Sequence, residues 1–186
     1  MKSRLVVLVA LAVGLMASQQ AMAQSDIGFK RLGGAIGYVS PEDLDGTFGL
    51  GVFADLGTIT PEISLEPRID YWSQSEAAFG TEFSVRDVAV GARAKYNFRT
   101  ANPRLRPFAG AGLGLHFLNA EVTMEMPGFP TESYSDTETR LGLDLGGGFA
   151  TTLSPRADLL GEAWYGIVSD FSTFSLRVGL SYKLGS

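Results

Sequence analysis

Cysteine is absent from all 186 residues, and histidine occurs once. The chain therefore carries no disulfide, no thiolate metal site and no lipid-modified N-terminal cysteine. With one histidine and scattered acids, neither a metal cluster nor a cofactor is expected. Basic residues are outnumbered, 15 Lys and Arg against 20 Asp and Glu, for a net charge of −5. That excludes nucleic acid as a partner, because phosphate binding needs clustered Lys and Arg. Beyond the first residues no run of about 18 uncharged apolar residues occurs, so no transmembrane helix is expected. If such a chain enters a membrane, closed β-structure is the remaining way to satisfy its backbone.

The N-terminus reads as an export signal. Lys2 and Arg4 give a positive start, Leu5 to Met16 an apolar core, and Ala21-Met22-Ala23 a small-residue cleavage site. Residues 1–23 are expected to leave, and residues 24–186 to form one β-barrel domain. Loss of Lys2 and Arg4 with no acid takes the net charge from −5 to −7. The 23 glycines are spread through strand-like segments rather than gathered in a linker, as the inner face of a narrow barrel requires.

What is abundant is alternation. From Arg140 to Ala150, Leu141, Leu143, Leu145 and Phe149 share one parity, and Arg140, Gly142, Asp144, Gly146 and Gly148 the other. A strand sends successive side chains to opposite faces, so one face is apolar and the other polar or empty. The pattern recurs in eight segments: 29–39, 47–56, 62–72, 85–98, 106–119, 138–151, 157–167 and 174–184. It predicts an all-β fold, an eight-stranded antiparallel up-and-down transmembrane barrel with its apolar face in lipid. Pro67 interrupts the third segment and predicts a bulge or a missing ladder bond. Aromatics near strand ends (Phe29, Tyr38, Phe48, Tyr71, Trp72, Tyr96, Phe98, Phe117, Tyr165, Phe174, Tyr182) suit interfacial girdles. Segments 40–46, 73–82 and 120–137 are expected to be the longer, external loops. The last is the candidate partner loop, with Met124, Met126, Phe129 and Tyr134 among acids.

Parity places Asp55, Glu66, Arg68, Asp70, Asp87, Arg93, Lys95, Arg140, Asp144, Glu162, Arg177 and Lys183 on the inner face. An eight-stranded barrel is only wide enough to be filled by side chains, so these are expected to pair as a polar plug. The rival is a narrow transport pore. His116, the single histidine, falls on the inward parity; no Ser–His pair stands out, so a lipid A-modifying enzyme is the weaker alternative. A soluble barrel with an enclosed ligand would need the opposite polarity, apolar inside and charged outside.

Three pieces carry a family resemblance: Arg106-Pro107-Phe108-Ala109-Gly110-Ala111-Gly112-Leu113-Gly114, Leu159-Leu160-Gly161-Glu162-Ala163-Trp164-Tyr165, and Ser175-Leu176-Arg177-Val178-Gly179-Leu180-Ser181-Tyr182-Lys183-Leu184. With them the chain resembles the small outer-membrane β-barrel proteins of Gram-negative bacteria, the eight-stranded group that includes OmpX and the OmpA barrel domain. The resemblance implies a non-enzymatic integral outer-membrane protein. Its surroundings would be outer-membrane lipid and lipopolysaccharide, with barrel assembly machinery and periplasmic chaperones during biogenesis. Its loops would serve adhesion or host contact. Family members usually end on an aromatic residue, where this sequence has Leu184 followed by Gly185-Ser186.

Overall fold

Strict alternation of large apolar with small or charged residues leaves each segment one way to hide both faces. The apolar face can turn to lipid only if the polar face is enclosed by closing the sheet. A computed structural model shows this closure; it describes residues 26–78, 81–124, 131–169 and 171–185. The signal segment lies outside the described residues. Eight strands follow in order: β1 (Asp26–Pro41), β2 (Thr47–Thr60), β3 (Ile63–Ala78), β4 (Thr81–Asn97), β5 (Leu105–Met124), β6 (Glu132–Ser154), β7 (Ala157–Val168) and β8 (Phe171–Lys183). Each pairs antiparallel with its neighbour, and β1 pairs with β8 from Arg31–Lys183 to Pro41–Thr173, so the ring has no open edge at that seam.

The interruption expected at Pro67 falls on the β2 side. Its β4 side runs in unbroken register through Pro67–Ala92. Between the pairs Phe53–Arg68 and Thr58–Ser64, β2 has four residues where β3 has three. That bulge absorbs the missing N–H. Gly57 takes the left-handed φ of 82° that the bulge requires, and its N–H donates to Asp55 Oδ1 at 2.7 Å.

The outer wall carries the apolar parity. Leu32, Ile36, Leu50, Val52, Leu113, Leu115, Leu141, Leu143, Val178 and Leu180 are all exposed on it. Aromatics border this belt at both ends. Tyr38 and Phe48 meet edge-to-face at the end away from the termini, and Tyr96 and Phe98 at the end bearing them. Trp72 departs from the expected girdle. Its parity is that of Glu66, Arg68 and Asp70, and it lies inside, 4% exposed.

Of the expected loops, 42–46 is a turn between β1 and β2, whereas the described parts of 73–82 and 120–137 are almost wholly strand; 79–80 and 125–130 lie outside the described residues. β3 and β4 stay paired as far as Ala78–Thr81, and β5 and β6 as far as Met124–Glu132. Segments 73–82 and 120–137 were too polar to read as membrane strand, but polarity does not prevent backbone pairing in water. Pairing of β2 with β3 stops at Gly49–Trp72, and of β6 with β7 at Gly142–Val168. Above that level β3, β4, β5 and β6 continue as a four-stranded sheet standing clear of the ring.

The height of the lipid follows from β5, whose outward apolar run ends at Phe117 and is succeeded outward by Asn119, Glu121 and Thr123. Leu113, 60% exposed, sits at the middle of that run. Leu113→Arg should cost about 2–4 kcal/mol in denaturant unfolding from lipid vesicles, and Thr137→Arg on the outer face above the belt about 0–1 kcal/mol.

Candidate functional site

The interior is small, and glycine makes room for the side chains that fill it. A Cβ at Gly146 would stand 2.7 Å from Trp164 Cε3, so only glycine on β6 lets that indole, 1% exposed, lie against the wall. The inward charged residues of β3, β4, β7 and β8 then stack in layers around it.

Nearest the termini, Asp158 on β7 bonds Arg106 on β5 and lies 2.7 Å from Arg31 on β1. In the next layer Lys95 Nζ donates to Glu66 Oε2 at 2.5 Å and to Glu162 Oε1 at 2.7 Å. The same ammonium lies over Phe108, 4.6 Å from the ring centroid. Above it the Arg68 guanidinium reaches Glu66 at 3.3 Å and forks onto Asp70 at 2.6 and 2.8 Å, while Arg177 bonds the same Asp70 from β8. Arg93 donates to Asp144 Oδ2 at 2.9 and 2.8 Å and stacks 3.9 Å from the Trp164 centroid. Trp164 Nε1 in turn donates to Glu162 at 3.3 Å. At the top, Asp87 Oδ2 accepts from Trp72 Nε1 at 3.2 Å and lies 2.7 Å from His116 Nδ1.

Of the residues read as inward, Glu66, Arg68, Asp70, Asp87, Arg93, Lys95, Glu162 and Arg177 are buried in these layers, and Asp144 joins them partly exposed. Asp55 is half-buried and spends its carboxylate on the Gly57 bulge. Arg140 sits higher, bonded to Glu138 at the mouth. Lys183 is exposed on the last rung beside Arg31, and its side chain has no ion pair among the described residues. Of the candidate partner-loop residues, Met124 and Tyr134 are exposed strand residues, and Met126 and Phe129 lie outside the described residues. Sequence reasoning missed Asp158, Arg31, Arg106, Phe53, Phe108 and Trp164. All share the inward parity, which was the signal available.

Cavities of about 70 Å³ near Lys95 and about 30 Å³ near His116 lie in this interior, and they share no lining residue. The smaller is bordered by Asp87, Arg93 and Arg177, whose Oδ1, Nη1 and Nε make no hydrogen bond among the described residues, and is large enough to admit water.

Above Trp72 the polarity of the sheet reverses. Outward residues become polar: Asn119 donates to Thr137 at 2.9 Å, and Arg86 to Glu121 at 3.1 Å. Above Asp87 the inward residues of the two central strands become apolar, and Glu76, Asp136 and Glu138 stand among those of the flanking strands. Successive rungs read Glu76–Phe83–Val122–Tyr134, Gln74–Val85–Ala120–Asp136 and Trp72–Asp87–Leu118–Glu138. In the sequence this is a change of apolar parity in β5 after Phe117, visible in Leu118-Asn119-Ala120-Glu121-Val122. The inner face of this sheet walls a vestibule of about 360 Å³ over Trp72.

A family model described as outer membrane protein beta-barrel domain matches residues 8–183. Among solved structures, a major outer membrane protein from Thermus thermophilus is similar at a TM-score of 0.63 and 13% identity, over 83% of this chain and 98% of that one. Neisserial surface protein A is similar at 0.59 and 19% identity, over 84% and 96%. Ail, the attachment invasion locus protein of Yersinia pestis, is similar at 0.52 and 14% identity, over 84% and 99%. At these identities the likeness is one of fold. No curated protein sequence matches the chain.

Lys95 bridges two buried carboxylates at short range, and its loss leaves them only the longer contacts to Arg68, 3.3 Å from Glu66 and 3.7 Å from Glu162. Lys95→Met should cost about 3–5 kcal/mol in denaturant unfolding from vesicles. Asp144→Asn, at a side chain 25% exposed, should cost less, about 1–3 kcal/mol.

Proposed function

Since the chain belongs to the outer membrane protein beta-barrel domain family, we propose that it is a non-enzymatic outer-membrane barrel. In this reading it plugs its own lumen and holds a paired sheet above the membrane for contact with other molecules. The apolar belt meets outer-membrane lipid and lipopolysaccharide. The end bearing the termini faces the periplasm, and the long hairpins β3–β4 and β5–β6 face outside. Insertion through the barrel assembly machinery, with periplasmic chaperones as escorts, belongs to the same reading.

One observation carries the contact role. Among the described residues, no strand pairs with β3 on its β2 side beyond Trp72, where only the Thr47 hydroxyl donates to Ser73 O at 2.7 Å, and no strand pairs with β6 on its β7 side before Gly142. A strand edge in water presents unpaired N–H and C=O groups to any extended segment that reaches it. Charges on the sheet's faces, including Glu76, Glu82, Glu121, Glu132 and Asp136, keep it from pairing freely with itself. Surface contact is also the use for which the Yersinia pestis relative is named.

The plug role rests on the stacked ion pairs and on the separation of the two small lumen cavities. A pore would need a continuous wet path instead. A lipid-modifying enzyme would need its base at the lipid-facing rim, whereas His116 is buried inside against Asp87.

Replacing residues 119–137 with a two-residue turn should leave a barrel whose gel migration still shifts on boiling. Cells displaying the full chain should attach to matrix-coated surfaces, and cells displaying the shortened chain should not. Equal attachment would contradict the contact role. In planar bilayers the full chain should stay at baseline current; stable openings would establish the pore instead.

A further inference from the structure

The vestibule over Trp72 has the size of a small-molecule site and a wall of mixed character. Val85, Leu118 and Ala120 give it an apolar face on β4 and β5, which favours a ring or short chain over water. Glu42, Asp136 and Glu138 border the same space, against one guanidinium, Arg140, already bonded to Glu138. Glu42 is held in place by the N–H and hydroxyl of Ser172, at 3.0 and 2.7 Å, so this side of the mouth is braced across β1 and β8. The surplus charge at the mouth is negative, and beside a low-dielectric wall it acts on a ligand more strongly than it would in open water.

We propose that this vestibule binds a small amphipathic cation, an aromatic or short-chain ammonium. Its apolar part lies against Val85, Leu118 and the indole of Trp72, and its ammonium faces Asp136 and Glu138. The acids are not in the apolar wall but across one rung from it, Ala120 facing Asp136 and Leu118 facing Glu138. A ligand with its charge a few ångströms from its ring matches that spacing, whereas an anion of the same shape meets repulsion. Asp136 and Glu138 belong to the edge strand β6, but the site uses their side chains at the vestibule and does not depend on that edge pairing with a partner.

The test uses the full barrel in lipid nanodiscs and three probes of one shape: phenethylammonium, phenethyl alcohol and 3-phenylpropionate. Binding is read by calorimetry and by the fluorescence of Trp72 in a Trp164→Phe background, since the chain has two tryptophans. Phenethylammonium should bind about 5- to 10-fold more tightly than the alcohol, and the carboxylate more weakly than either. Asp136→Asn with Glu138→Gln should remove that advantage and leave the alcohol unchanged. Ala120→Trp, which fills the vestibule, should abolish binding of all three. If that variant does not fold, the carboxylate pair decides. Equal binding of the three probes, or an ammonium preference that survives loss of both carboxylates, overturns the proposal.

Discussion

The rest of this structure depends on one constraint: in lipid, a backbone N–H or C=O has no water to bond and must find its partner within the protein, chiefly in a neighbouring strand. The pairing of β1 with β8 meets that constraint by removing the last edge of the ring. With eight strands the ring encloses a space about as wide as its inward side chains, and these fill it and satisfy one another. The glycines, the layered ion pairs and the indole of Trp164 beside Gly146 follow from that limited space.

The same constraint explains why the sheet changes character above the lipid. Once water is available, an edge no longer has to be closed, and β3 to β6 continue without β2 and β7 beside them. Side-chain polarity reverses at the same height. Facing out, Phe117 gives way to Asn119; facing in, His116 gives way to Leu118. A barrel that is apolar outside and polar inside thus carries a sheet that is polar outside and, on its two central strands, apolar inside. The end of pairing with β2 and β7 produces the strand edges, and the reversal produces the apolar-walled vestibule.

Much of this was legible in the residues. Alternation placed all eight strands and their order, because in lipid the two faces of a strand cannot be exchanged. It placed Glu66, Arg68, Lys95 and Glu162 on one interior, although which acid meets which cation depends on register between strands distant in sequence. It failed where lipid no longer enforces the rule. Polar stretches such as Ser73–Ala78 and Glu132–Thr137 lack the apolar parity and so read as loops, yet they pair in register. Trp72 read as a girdle residue because its position near a strand end outweighed its parity with Arg68 and Asp70. Lys183 kept the inward parity but lies on the last rung, where the wall no longer encloses it.

The reversal in β5 can be measured directly, because the chain has no native cysteine to interfere. Single cysteines at each position from 113 to 123 would be spin-labelled in lipid bilayers and probed with oxygen and with a water-soluble relaxation agent. The account predicts lipid-type accessibility at 113, 115 and 117, and water-type accessibility at 119, 121 and 123. Lipid-type accessibility continuing through 123, or water-type accessibility at 113 and 115, would contradict it.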